Sequence, residues 1–358
     1  MINYLYRVKQ NFRKLIFIIG IITFGVLGKE TYAQRVDSVL QTKIDGITDF
    51  LLYRNHDTTY ISNYPNELAV KLVAVNKYNY FNIADRVNDS RLRYRPVRDL
   101  SLGAGLTYKM FAFDLTFALG LYKKSEFKNT KTFDFQGTMF TSKQYISATL
   151  QYYWAYKLAN ISGNVPPINP VSERRDDIRT INFGLQYMYV FNYTKFSLKA
   201  PFVFNEVQLK SAGSPILGVS FSIFNMGADS SIVPPEAAPS FDSTLYLSGL
   251  NVISAAINLG YMYTFVVKEH FFLTLGIIPG LNLNAGDYFV NTREPIHLNA
   301  HFKLNGLGAI GYNGRRWFTG IQFISDTYYT RLEKKMIAGI GHGKTSIFVG
   351  YRFKNKKK

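Results

Sequence analysis

The sequence predicts an all-β protein: a transmembrane antiparallel β-barrel of about twelve strands, within a range of ten to fourteen, preceded by a short periplasmic amphipathic helix. Three observations carry that prediction. Bulky apolar residues recur at every second position over many segments. The chain opens with the layout of an export signal. After that opening, no stretch approaches the roughly 18 uninterrupted apolar residues of a membrane helix. The clearest case of the first is Leu100–Leu121. There Leu100, Leu102, Ala104, Leu106 and Tyr108 alternate with small or polar residues. After Lys109 and Met110, Phe111, Phe113, Leu115, Phe117, Leu119 and Leu121 do the same. A period of two puts each set on one face of a strand. Bulk would face the core in a soluble sandwich and lipid in a membrane barrel, so alternation by itself leaves both open; export without a membrane helix selects the barrel.

The export signal is read from Arg7, Lys9, Arg13 and Lys14, the apolar run Leu15–Leu27 and the small-residue end at Ala33. Such a run is too short to span a bilayer comfortably and suits a cleaved signal peptide. Removal of residues 1–33 takes five basic residues and one acidic one, lowering the formal charge from +18 to about +14. Cysteine is absent, which excludes a disulfide framework and thiolate metal sites. Aromatic residues make up 16%, more than a core alone asks for, and barrel girdles account for the excess. The basic residues are scattered apart from the tail Lys354–Lys358, so export and distribution both argue against nucleic acid. Rim lysines and arginines would meet anionic headgroups instead.

Residues 34–67 read as a periplasmic segment in which Val36, Val39, Leu40, Ile44, Ile47, Phe50 and Leu51 share a helical face. Residues 68–353 read as the barrel and 354–358 as a basic periplasmic tail. Strands are expected at Leu68–Tyr80, over the hairpin in Leu100–Leu121, and at Phe133–Phe140, Tyr145–Tyr156, Ile181–Phe191, Phe196–Phe204 and Ile216–Phe224. The last five are expected at Leu250–Val267, Phe271–Asn284, His297–Gly311, Trp317–Tyr329 and Lys344–Phe353. Polar loops fill Asn82–Asp99, Lys157–Arg179 and Ala228–Asp242. Long loops at Ala285–Ile296 and Thr330–Gly343 alternate with short turns at Lys268–His270 and Asn313–Arg316. The tally contains a conflict: counted from the N-terminus, Ala228–Asp242 falls on the periplasmic side, and counted from the C-terminus, outside. One strand between Phe196 and Leu250 is therefore missing or surplus.

Several stretches resemble a family of Gram-negative outer-membrane barrels catalogued as domain of unknown function 4421. They are Asp57-Thr58-Thr59-Tyr60-Ile61, Leu92-Arg93-Tyr94-Arg95-Pro96, Gly103 to Lys109, Asn192 to Ser197, and Gln208-Leu209-Lys210-Ser211-Ala212-Gly213-Ser214. They lie in order over most of the mature chain. Val97, where the family tends to a polar residue, and the lysine tail depart from the pattern. The resemblance implies fold and location, marks Tyr94, Arg95, Pro96, Lys109, Gln208, Ser211, Gly213 and Ser214 as family positions, and brings no catalytic residues. Gly213 is expected at a turn or bulge.

The inward face of His297–Gly311 carries His297, Asn299, His301, Lys303 and Asn305, with Asn282 and Asn284 on one neighbour and Gln322, Asp326 and Tyr328 on the other. Such a face fits a polar lumen. His297 and His301 lie four residues apart on a strand, about 13 Å, too far to share one metal. No metal or other cofactor is expected. The expected function is a pore or structural barrel with a polar lumen, not an enzyme. An alternative is an outer-membrane hydrolase using His301, Asp326 and a serine such as Ser254; another is a scaffold for a periplasmic machine. Expected partners are outer-membrane lipid, the barrel-insertion machinery and a small polar solute.

Overall fold

The computed structural model describes residues 56–64, 67–97, 100–108, 111–118, 131–333 and 336–354. The export segment, the amphipathic helix, Lys109 and the last four lysine-tail residues lie outside these.

The first strands are β1 (Ile61–Asn63), β2 (Leu68–Asp85), β3 (Ser90–Pro96), β4 (Ser101–Tyr108) and β5 (Phe111–Ala118). Next come β6 (Lys131–Phe140), β7 (Gln144–Gly163) and β8 (Arg174–Val190). A short helix α1 (Lys199–Phe202) and β9 (Glu206–Gln208) precede β10 (Ala212–Gly227). The series ends with β11 (Gly249–Val267), β12 (Phe271–Phe289), β13 (Arg293–Asn313), β14 (Trp317–Glu333) and β15 (Met336–Phe353). Neighbours are antiparallel, and the sheet closes on itself where β15 pairs with β2 along its whole length, from Met336 opposite Asp85 to Phe353 opposite Leu68.

Among the described residues the closed circuit has ten strands, β2, β3, β7, β8 and β10 to β15. That is the lower bound of the expected range, and a count of twelve does not follow from it. The extra strands arise because β3 and β4 descend the same flank of β2 one after the other. β3 pairs with Phe81–Asp85 and β4 with Ala69–Val75. Beside β3 the wall passes directly to β7, whereas beside β4 it passes through β5 and β6, which among the described residues pair at Phe111–Met139 and Ala112–Thr138. Leu68 meets Phe353 at the near end of the barrel, and Asp85 meets Met336 at the far end.

Alternation decides what each strand shows to either side. On β12 Leu275 and Ile277 are 52% and 67% exposed, while the preceding Thr274 and the following Ile278 are fully buried. Leu102, Leu106, Leu115 and Phe117 are likewise exposed. Bulk therefore points out and small or polar groups point in, the reverse of a soluble sandwich.

Two inserts fill the ends of the lumen. Residues 191–211, carrying α1 and β9, fold up into the near end; Phe196, Leu198, Phe202 and Phe204 are buried there against Met262, Phe318 and Phe348. Residues 228–248 fold into the far end, where Ile232, Phe241, Leu245 and Leu247 are buried against Phe81, Tyr94, Phe224 and Tyr328.

Several expectations are corrected. Phe196–Phe204 is not a strand: its apolar residues pack inside the near end. Removing it resolves the conflict over the 228–248 connection, which lies at the far end. The Asn82–Asp99 loop contains β3, and the Lys157–Arg179 loop shrinks to residues 164–173 between the extended ends of β7 and β8. The long loops at Ala285–Ile296 and Thr330–Gly343 are instead continuations of β12 to β15. In all of these the strand runs past the apolar band, where outward side chains turn polar and the bulk signal fades.

Candidate functional site: a sealed polar lumen

Between the two apolar inserts the lumen is polar and charged. Inward alternation on β2 delivers Lys71, Lys77 and Asn79. Lys71 meets Asp114 at 2.9 Å, Lys77 meets Asp134 at 3.4 Å, and Lys303 meets Asp326 at 2.6 Å. Gln151 joins several of these groups: its carbonyl accepts from Asn79 (3.1 Å) and Asn182 (3.0 Å), and its amide donates to Asp134 (3.2 Å). Buried charge is tolerated at these three lysines because each finds a carboxylate within the wall. A cavity in this girdle measures about 30 Å³, and Gln136, Asn305, His342 and Lys344 are among its lining residues. Among the described residues Gln136 Nε2, Asn305 Oδ1 and His342 Nδ1 have no hydrogen-bond partner. That volume admits water and no larger solute.

The expected lumen residues separate into distinct places. Lys303 and Asp326 form the ion pair just described, with the Lys303 ammonium 5.3 Å from the centre of the buried Tyr328 ring. Gln322 donates to the Pro201 carbonyl of the near-end insert (2.7 Å). Above the Lys303–Tyr328 pair the ladder between β13 and β14 ends. Asn282 and Asn284 cross that gap and donate to the Tyr329 carbonyl at 3.0 and 2.9 Å. Asn299 bridges it too, donating to the Arg331 carbonyl (3.2 Å). His301 lies against Tyr329, ring centres 5.8 Å apart, and His297 is exposed. The imagined hydrolytic trio is not assembled: Ser254 accepts from Asn282, Asp326 is held by Lys303, and the His301 Nδ1 accepts from the Phe302 amide.

The family positions turn out to hold the inserts. The Tyr94 hydroxyl donates to the Ile232 carbonyl of the far-end insert. Gln208 ties the near-end insert together, donating to the Tyr60, Lys195 and Lys210 carbonyls and accepting from the Ser197 amide. Ser211 accepts from the Val266 amide, and Ser214 from the Asn192 amide, each at 2.8 Å. Gly213 sits inside β10 with no turn or bulge; a Cβ there would come within 2.6 Å of the Tyr261 hydroxyl and the Tyr263 ring. Close approach of two tyrosines, not positive φ, explains this glycine. Pro96 ends β3, and Arg95 is exposed on it.

One residue that periodicity does not single out is Arg352. Fully buried on the inner face of β15, it donates to the Phe204, Gly314 and Arg315 carbonyls and to the Asn313 side chain. Phe204 itself has φ of +65°, a left-handed turn rare for a bulky residue, and Arg352 holds its carbonyl there. A basic residue on the lumen face of a final strand was the available signal. At the near-end rim Arg315 grips Glu67 with both nitrogens, one at 2.6 Å. Those hydrogen bonds hold the Glu67 carboxyl below its ordinary range, against the opposing effect of burial. The far end carries a larger, open cleft of about 610 Å³ between the insert and the tips of β12 to β14, lined by Ser231, Thr244, Tyr246, Tyr288, Glu294 and Glu333 among others.

The profile of the family described as domain of unknown function (DUF4421) matches residues 55–353. The chain belongs to the DUF4421 family. No curated protein matches this DUF4421 barrel. Among solved structures it is similar to the toluene transporter TodX of P. putida, at 8% identity and a TM-score of 0.22, over 86% of this chain and 94% of that one. It is also similar to Ail, the attachment invasion locus protein of Yersinia pestis, at 9% and 0.18, over 80% and 99%. A third is Pseudomonas aeruginosa OpdO, at 8% and 0.15, over 81% and 98%. At such scores none of these proteins lends its activity to the DUF4421 barrel.

Proposed function

We propose that the DUF4421 barrel spans the outer membrane with its near end in the periplasm, and that its polar lumen is a path for small polar solutes held shut by its two inserts. The observation carrying this reading is the charged, water-sized middle enclosed between two apolar seals. A barrel filled only for stability would gain more from apolar packing than from buried ion pairs. The wall fits lipid: Leu115 and Phe117 are each 67% exposed on its outward face. The hydrolase alternative has no assembled nucleophile and base to support it.

In a planar bilayer the full chain should show no standing conductance in buffer. Moderate urea, which loosens inserts before a closed sheet, should produce reversible ion conductance. Open channels without urea, or silence up to the point of barrel unfolding, would overturn the gated path. Membrane seating is tested separately. Leu115→Arg should cost roughly 2–4 kcal/mol at the midplane and lower the heat-shifted folded band on a denaturing gel. Thr116→Arg, on the opposite face, should be better tolerated.

A further inference from the structure

β3 reads Arg91-Leu92-Arg93-Tyr94-Arg95, and its alternation is as strict as that of the lipid-facing strands, with the polarity changed. Leu92 and Tyr94 are fully buried in the lumen, so the three arginines share the outer face of the wall. Pairing registers place that face within rows that cross four strands. Arg91, Ala84, Ile337 and Arg331 form one row; Arg93, Asn82, Gly339 and Tyr329 the next; Tyr80, Gly341 and Thr327 the third, with Arg95 following on β3. The rows lie beyond the apolar part of the same strands, which ends at Leu72 on β2 and Phe323 on β14.

The floor of this surface is built from glycine and tyrosine. A Cβ at Gly341 would run into the Tyr80 ring at 2.3 Å, and one at Gly339 would meet the Tyr329 ring at 2.9 Å. Both rings therefore reach across the glycines of β15. The Arg93 guanidinium stands over Tyr80, 4.7 Å from its centre, and its Nε is buried without a hydrogen-bond partner. Among the described residues Arg91, Arg93, Arg95 and Arg331 form no ion pair. Two nearby carboxylates are engaged elsewhere, Glu173 with Lys157 and Glu333 with the Tyr288 hydroxyl. Uncompensated guanidinium groups held over aromatic rings are suited to planar, multidentate recognition of phosphate.

We infer that this trough binds the phosphate-bearing headgroup of an outer-leaflet glycolipid. The inference rests on the proposed orientation, which sets the trough just outside the hydrocarbon at the level of the outer headgroups. Arg91 and Arg331 stand three strand spacings apart, about 14 Å, a span suited to a disaccharide bearing phosphate at each end. The tyrosine floor between them would carry the sugar rings.

The test uses the purified full chain in detergent and calorimetric titration with deacylated, doubly phosphorylated lipopolysaccharide backbone. Phosphatase-treated backbone and inorganic phosphate serve as comparison probes. The phosphorylated probe should bind at least tenfold more tightly than the treated one, and less tightly as salt rises. The triple variant Arg91→Gln, Arg93→Gln, Arg331→Gln should lose at least tenfold while keeping the heat-shifted folded band. If the triple variant does not fold, Arg331→Gln alone, exposed near a strand end, should still lose about threefold. Equal binding of treated and untreated probe, or unchanged binding in the folded variant, overturns the inference. Full displacement by equimolar inorganic phosphate overturns the lipid source. A photo-crosslinker at Tyr329 in living cells should give a lipopolysaccharide adduct. Tight binding of the purified chain with no such adduct would overturn the outer-leaflet assignment and point to the orientation, not the trough chemistry, as the fault.

Discussion

The two inserts occlude the same lumen by different physics. The near-end insert has its own secondary structure: α1, and β9 paired with β1. Its carbonyls are caught from the wall by Asn313, Gln322 and Arg352, and the Lys199–Glu206 ion pair is buried within it at 2.6 Å. The far-end insert has only two short 3₁₀ turns and depends on its apolar cluster. Its polar ties are spread along it: Tyr94 and Arg175 reach the carbonyls of residues 230–232, and Asp85 accepts from the Asp242 amide at 2.9 Å, while those at its middle run to the 164–173 loop, Ser172 donating to Glu236 (2.8 Å) and Ser240 to the Asn164 carbonyl (2.7 Å). An open cleft of about 610 Å³ runs along it. A segment whose central ties run to a surface loop and not to the wall is the one that opens first. The comparison assigns the moving part to the far end and the fixed part to the near end.

The largest effect expected concerns the inserts themselves. Replacing residues 229–247 with a short glycine-serine link should leave a folded, heat-shifted barrel and lower the urea needed for conductance. Replacing residues 192–210 should abolish assembly. Equal tolerance of both would remove the distinction. Next, Arg352→Ala leaves several buried acceptors unmet and should cost at least ~3 kcal/mol in urea unfolding, with Arg352→Lys recovering only part. Tyr94→Phe removes a single tie from the far-end insert and should cost about 1 kcal/mol while lowering the urea threshold for conductance. A matching threshold shift from Gln322→Leu would show that the near-end insert moves as well.

The smallest effect is at the rim. The Glu67 carboxyl is lowered in the folded chain by Arg315. Its contribution is therefore fully present above the unfolded carboxylate range and is lost as pH falls through the lower folded value. Because the pair sits partly in solvent it is worth under about 1 kcal/mol. Glu67→Gln should be indistinguishable from wild type in strong acid and slightly less stable at neutral pH. A larger loss in acid than at neutral pH would reverse the assignment.

Where lipid contact sets the rule, the strands were legible from sequence. β10 to β15 were all expected, and their centres are where Leu259, Leu275, Phe302 and Ile347 announce the outer face. The rule fails wherever the wall leaves the hydrocarbon. β3 alternates perfectly, yet Arg91, Arg93 and Arg95 stand where bulk was sought, so it reads as a polar loop. The opposite error occurs at Phe196–Phe204, whose aromatic residues are spaced like a strand but pack into a closed lumen. Lumen charge was half visible. Lys303 and Asp326 were placed together on facing strands, whereas Lys71–Asp114 and Lys77–Asp134 join strands whose adjacency is fixed only by the way β3 to β6 fill the wall. What the anchoring residues hold could not be read, since Arg352 and its partner Phe204 lie 148 residues apart.

The seam between β15 and β2 has a consequence for how the barrel forms. All 18 residues of β15 find their partners on a strand that left the start of the barrel some 270 residues earlier. Every other wall ladder can zip between segments closer in sequence, but this one has no partner available until the last strand has been made. Until then the sheet carries two long unsatisfied edges, each a template for pairing with a foreign chain. High-separation pairing also makes closure slow. Biogenesis should therefore be limited by a single late, all-or-none closing event, and a chain truncated within β15 should collect as an open, aggregation-prone sheet and not as a slightly weakened barrel.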